Sequence, residues 1–326
     1  MPGIDRTGAQ ALMPDNVTRE IISGVRKESV SMKLMRRLPN MTSKTTRQPV
    51  LSMLPSADFV NGDAGMKVVT EAQWDKKLLV VGEIAAIVPI PQSVLDDSDY
   101  DIWGEVRPLI VESFGRVFDK QVFEGGNPKA PVEWPSGVIP AAVAAGNVVT
   151  VGTGIDIAGD VSATMALLEE DEYDVNGIAA QKRLRSMLRD LRNANNDPIF
   201  TPMQGEVPAG IYGSRTEFVG KGVWTPANAL GVMGDWNLAV YSIRQDITYQ
   251  VFDTGVISDD TGKIVYNLLQ QDMVALRAVM RLAWQVANPI DIDRPYGTGF
   301  PFAILKPGVV TPPGPGGGGE EGGTEE

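Results

Sequence analysis

The chain has 326 residues, 43% of them hydrophobic, and a formal net charge of −12. That length suits about two domains with a sizeable core, and no apolar run approaches the ~20 residues that span a bilayer. With neither cysteine nor histidine, disulfides, thiolate nucleophiles, Ser-His triads and the usual zinc sites are excluded, and the acidic balance argues against a free-standing nucleic-acid binder.

Residues 1–15, with Pro2, Gly3, Gly8 and Pro14, read as a loose lead-in. They lack the apolar stretch of a signal peptide, so synthesis in the cytoplasm is expected. A helix is expected after Asp15 or Asn16, both good caps. Ile21, Val25, Met32 and Met35 form one stripe, broken near Ser29-Val30-Ser31. Between Val17 and Arg47, eight Lys or Arg stand against two Glu. Arg26, Lys33, Arg36 and Arg37 belong to this basic side, which is either a solvated face or a contact surface.

Residues 49–91 mix apolar and polar residues around the turn cluster Asn61-Gly62-Asp63-Ala64-Gly65. The run from Leu78 to Ile90 is strand-like, and a long two-stranded hairpin is predicted. An isolated hairpin is marginally stable in water, so this one packs within its own domain or rests on a neighbouring subunit.

Asp96, Asp97, Asp99 and Asp101 lead into one of the longest amphipathic patterns of the chain. Apolar residues recur at Ile102, Val106, Leu109, Ile110, Phe114, Val117, Phe118 and Val122, the spacing of one helix face. Acids favour the positive end of the helix dipole, and Gly125-Gly126 ends the helix. It runs from about Tyr100 with a kink at Pro108, or begins at Pro108. Val106, Ile110, Phe114 and Val117 are its expected structural spine.

A Gly/Pro/Ala-rich loop is predicted from Gly125 to Gly146. A strand at Asn147–Val151, a helix from Asp156 to about Glu170, a strand at Val175–Ile178 and a helix from Ala180 to Ala194 follow. Short strands are predicted at Gly210–Tyr212, Leu230–Met233 and Leu238–Ile243. A pair at Ile247–Val256 and Lys263–Leu269 flanks the turn from Ser258 to Gly262. Met273 to Val286 alternates strictly and reads as a strand despite good helix formers. Phe300–Leu305 is the last strand. From Gly308 the Gly/Pro/Glu-rich tail has too little to bury to fold, and its last seven residues carry four Glu.

Catalytic and cofactor motifs fail on inspection. Gly152-Thr153-Gly154 lacks the third glycine of a dinucleotide loop, because Ile157 takes its place, and no P-loop is present. Asp97, Asp99 and Asp101 imitate the start of a calcium loop, but Ile102 and Pro108 stand where glycine and glutamate are needed. No catalytic residue, metal or cofactor is expected, and the chain is not read as an enzyme.

Several stretches, in order, resemble the major capsid protein of tailed bacteriophages, the Hong Kong 97-type capsid fold. Leu12-Met13-Pro14 with Glu20-Ile21-Ile22 is similar to the family's N-terminal arm. Ala57-Asp58-Phe59-Val60 with Glu71-Ala72-Gln73-Trp74 is similar to its extended loop, and Val88 to Ser98 to the return into the spine helix. Phe123-Glu124-Gly125-Gly126, the Gly234-Asp235-Trp236 strand end and Gln271 to Leu282 follow the same pattern. Encapsulin nanocompartment shells share the fold and give an alternative function.

The resemblance implies an α+β chain: an N-terminal arm at 1–48, an extended β-hairpin loop at 49–91, a peripheral domain at 92–150 and 246–287 built on the spine helix, an axial α/β domain at 151–245 and 288–307, and a disordered tail at 308–326. It implies a structural protein that self-assembles as hexamers and pentamers into an icosahedral shell enclosing double-stranded DNA by non-specific contact, located in the virion. A separate scaffolding protein, a portal and a decoration protein are further implied partners, with no membrane. Arg26, Lys33, Arg36, Arg37, Phe59, Trp74, Lys76 and Lys77 are the candidate inter-subunit contacts. The acidic tail is expected on the outer surface.

Overall fold

The computed structural model describes residues 29–53, 73–97, 102–191, 211–288 and 299–308. A short helix α1 (Val30–Leu34) leads through β1 (Arg36–Arg37) to β2 (Thr45–Met53), β3 (Gln73–Val80) and β4 (Gly82–Pro91). Helices α2 (Gln92–Asp97), α3 (Ile102–Phe123) and α4 (Val138–Ala145) come next. Then follow β5 (Val148–Thr150), α5 (Ile157–Glu170), β6 (Gly177–Gln181), α6 (Lys182–Arg189), β7 (Arg215–Val219) and β8 (Gly231–Gly234). The described chain closes with β9 (Ala239–Phe252), β10 (Val256–Ser258), β11 (Ile264–Asn267), α7 (Leu268–Gln271), β12 (Met273–Val286) and β13 (Phe302–Lys306).

The period-two pattern of β12 places it inside a four-stranded sheet of order β1-β9-β12-β4, antiparallel to both β9 and β4. Leu276, Ala278, Met280, Leu282, Trp284 and Val286 point to one face and join a core with Ile110, Phe114 and Phe118 of α3. Side chains one residue out of phase point the other way, as the pleat requires. Ala283 there meets Leu79 and Met41 beneath the β2–β3 hairpin. Burial of each large α3 side chain contributes roughly 1.5–3 kcal/mol.

A second sheet has the order β5-β13-β8-β6-β7. Alternation splits its residues between two cores. Ile178, Ala180, Met233, Ala303 and Leu305 pack with Val161 and Leu168 of α5 and Leu184 of α6. Ala179, Val232, Phe302 and Ile304 face the α3 core. Trp236 sits at the junction, edge-on to Phe123 and Phe302 with centroids at 5.7 and 4.9 Å, and its Nε1–H donates to the Gly177 carbonyl at 3.0 Å. The two sheets are thus joined through a shared aromatic core.

Several expected limits are corrected. The run from Leu78 to Ile90 is not one strand of the hairpin. Val80 ends β3, and Gly82 begins β4 in the four-stranded sheet. Trp134 forces the break: its Nε1–H donates to the Val80 carbonyl at 2.6 Å, and a Cβ at Gly82 would lie 2.6 Å from the Trp134 ring. Leu238–Ile243 and Ile247–Val256 are not separate strands. Arg281 pairs with Gln245 while Leu282 pairs with Ile243, so Arg244 bulges out and β9 continues. Ala180 belongs to β6, not to a helix, and the following helix starts at Lys182. The expected loop at 125–146 contains α4, and β7 was not foreseen.

Helix α3 runs unbroken from Ile102 with Pro108 inside it. It stops at Phe123, where Glu124 and Gly125 both donate to the Lys120 carbonyl and Gly125 takes φ +67°, a value that favours glycine. The helix expected after Asp15, together with Arg26, Phe59, the turn at 61–65, Asp99, Asp101 and the Gly/Glu tail, lies outside the described residues.

Candidate assembly surfaces

Helix α1 is fastened to α3 by one carboxylate. Ser29 caps α1, its hydroxyl accepting from the Met32 amide at 3.2 Å. The Val30 and Ser31 amides donate to Asp119 at 2.9 and 3.0 Å, and the Ser29 and Ser31 hydroxyls donate at 2.6 and 2.5 Å. Asp119 is fully buried. Burial raises its pKa above the usual 3.8, and the four hydrogen bonds offset that only in part. The break in the apolar stripe at Ser29-Val30-Ser31 is therefore an anchor. Sequence reasoning missed Asp119 because an acid on a helix resembles a solvated residue; its position directly after Phe118, on the buried side, was the signal.

Beyond the anchor the basic residues divide. Lys33 lies 3.8 Å from Glu217, which Arg215 also holds at 2.8 Å. Arg37 donates to Asn40 Oδ1 at 3.0 Å. Arg37 also stands near Asp246, whose pKa burial raises and the guanidinium partly lowers. Arg36 is exposed on β1 and makes no ion pair among the described residues. The basic side is thus partly neutralised by the chain itself.

The described part of the β2–β3 hairpin is held to the body along one side. Thr45 pairs with Val80 and Leu51 with Trp74. Leu79 and Val80 are buried, and Val50 packs with Val240 and Ala287. Trp74 is 66% exposed, and Lys76, Lys77 and Leu78 are exposed beside it. Trp74 and Leu78 thus leave two large apolar side chains in the open on this ribbon.

Of the expected spine residues, Ile110 and Phe114 are buried and Val106 packs half-buried against the same core. Val117 is corrected: it is 41% exposed. The buried stripe runs instead through Val111, Phe118, Val122 and Phe123, and Val117 lines a cavity of about 320 Å³ with Gln121, Lys129 and Trp134.

A fourth surface is the β10–β11 hairpin. Val256, Ile264 and Val265 are exposed, and Leu269, just beyond, is 73% exposed. Its turn is firm. Asp259 accepts from the Thr261 and Lys263 amides at 2.9 Å each and from the Thr261 hydroxyl at 2.6 Å, bonds that hold its carboxyl below the usual range. Lys129 reaches Asp260 at 2.8 Å and lowers that carboxyl too. A hydrogen-bonded turn thus carries a ribbon whose apolar side chains are exposed among the described residues.

The Gly152 and Gly154 amides donate to Asp160 at 2.7 and 2.6 Å, so a side chain of the protein already fills that glycine loop. Among the described residues no three His, Cys, Asp or Glu come together to hold a metal ion, and no helix is long and apolar enough to cross a membrane.

The model of the phage capsid family matches residues 9–292. The major capsid protein of Staphylococcus phage 80alpha is 26% identical over 237 residues, covering 69% of this chain and 67% of that protein. A solved chain from Microbacterium phage Oxtober96 is 36% identical, with a TM-score of 0.73 over 86% of this chain and 91% of its own. One from Mycobacterium phage Adephagia shares the fold at a TM-score of 0.74, with 24% identity, over 95% of this chain and all of its own (100%).

Proposed function

The chain belongs to the phage capsid family and is a structural shell subunit, a phage major capsid protein; on that premise we propose how it closes an icosahedral head around double-stranded DNA. Its place is the virion, its role is structural rather than enzymatic, and its mixed α/β architecture is a capsid fold.

The finer reading is a Hong Kong 97-type division of labour. The residues before β2 act as the arm, with β1 adding its edge to the four-stranded sheet. The β2–β3 hairpin and the residues between its strands act as the extended loop. The four-stranded sheet with α3 is the peripheral domain, and the five-stranded sheet with α5 and α6 is the axial domain at the centre of hexamers and pentamers. The observation that carries this reading is Trp74, 66% exposed on the β2–β3 ribbon. A neighbouring subunit supplies the missing surface. Exposed Val256, Ile264 and Leu269 extend the contact.

Inside the shell, Arg36 and the basic arm contact DNA through phosphate charge alone. A scaffolding protein, a portal and a decoration protein are the further partners of this reading. The encapsulin reading is not favoured, because the family model and the matched proteins are phage capsids. Nuclease treatment of intact native particles tests the content. Protected double-stranded DNA is expected, and particles filled with protein cargo and no DNA would overturn it.

A further inference from the structure

The strands β5, β13, β6 and β7 run in one direction, with β8 alone against them. Their C-terminal ends, Thr150, Lys306, Gln181 and Val219, therefore share one rim of the sheet. At the β6 and β7 ends a cavity of about 250 Å³ opens, lined by Gln181, Lys182, Arg183, Lys221 and Trp224 among others. Its floor is fixed, because Gln181 Nε2 and Trp224 Nε1 both donate to the Ala229 carbonyl, at 2.7 and 2.8 Å. Lys182, Arg183 and Lys221 are exposed around it. None of the three makes an ion pair among the described residues. Three cations around one hollow concentrate positive potential there, in a chain of net charge −12, and favour an anionic partner.

The chain carries such a partner next to this rim. Strand β13 ends there at Lys306, and the sequence continues into a tether of eleven residues, Val309–Gly319, before Glu320, Glu321, Glu325 and Glu326. The described chain ends at Gly308, against the Val151 carbonyl just past β5, so the cavity lies three to four strand spacings away, roughly 14–19 Å. A Gly-rich tether of that length has a typical end-to-end distance of roughly 17–20 Å. Tether and span match, the condition under which a linked segment reaches its highest effective concentration, about millimolar.

We propose that the cavity ringed by Lys182, Arg183 and Lys221 binds the glutamates of Glu320–Glu326 of the same chain. The glutamates then neutralise the positive rim of the five-stranded sheet. The contact is ionic and lies at the surface, so it holds at low salt and is released when added salt screens it.

The test uses the full-length chain and a Glu-specific endoprotease. At about 0.05 M salt, tail cleavage in the parent should be about ten-fold slower than in the triple variant K182Q/R183Q/K221Q, and the two rates should converge near 1 M salt. On the parent alone, carbodiimide coupling should join the tail glutamates to Lys182 and Lys221 in preference to Lys77, Lys129 and Lys263. In a mixture of isotopically labelled and unlabelled chains those links should stay within one chain. Equal cleavage rates at low salt, links spread over all exposed lysines, or links only between chains would each overturn the proposal.

Discussion

The Ser29 hydroxyl donates to the Asp119 carboxylate at 2.6 Å across a sequence separation of 90 residues. With the two amides and the second hydroxyl that Asp119 also receives, this contact fastens α1 to α3. Removing the acceptor strands two buried backbone N–H groups and two hydroxyls. Each such loss costs about 1–3 kcal/mol, so Asp119→Ala should cost roughly 3 kcal/mol or more in chemical denaturation. A loss below about 1 kcal/mol would mean that water replaces the carboxylate freely.

The same carboxylate gives a pH signature. Because burial raises its pKa, the folded chain holds this proton more tightly than the unfolded chain does. The stabilisation from that proton is fully present below the unfolded value, near 3.8, and is lost as pH rises through the folded value. Asp119→Asn removes the titration while nearly keeping the shape. The parent should therefore gain melting temperature relative to Asp119→Asn as pH falls from about 7 toward 4.5. A difference that stays constant across this range would contradict the buried, proton-binding assignment.

Phe114 is buried at the centre of the α3 core. Phe114→Ala should cost ~3–5 kcal/mol and reduce the yield of soluble subunit rather than alter shell geometry. Val117→Ala, on the exposed flank, should stay within about 0.5 kcal/mol of the parent. Equal losses from the two variants would restore the wider stripe expected from the sequence.

That pair shows what the sequence could and could not supply. Strict alternation in Met273–Val286 and the Asp156 cap of α5 were legible because each is a local signal that the fold obeys. The buried stripe of α3 was legible only to within one flank, because Leu109 and Val117 sit at the edge of the apolar arc and only the packed neighbours decide which edge is covered. Asp119 and the division between β3 and β4 were not legible. Both depend on partners far along the chain, Ser29 for the first and Trp134 for the second.

Arg36 tests the electrostatic role of the arm more cleanly than Arg37, because Arg37 supports Asp246 and Asn40 in its own subunit. Arg36→Glu should leave subunit melting unchanged and make DNA retention in particles fall more steeply with salt than in the parent. Identical retention across the salt series would reduce Arg36 to a solvated side chain.

The exposed Trp74 of the β2–β3 hairpin is surface that another subunit covers in the proposed shell. Electron cryomicroscopy of particles formed by the purified chain tests this directly. The predicted result is a closed icosahedral shell of six-fold and five-fold capsomers in which each hairpin lies against a neighbour and Trp74 is buried in that contact. Small open oligomers, or closed shells in which Trp74 still faces solvent, would contradict it.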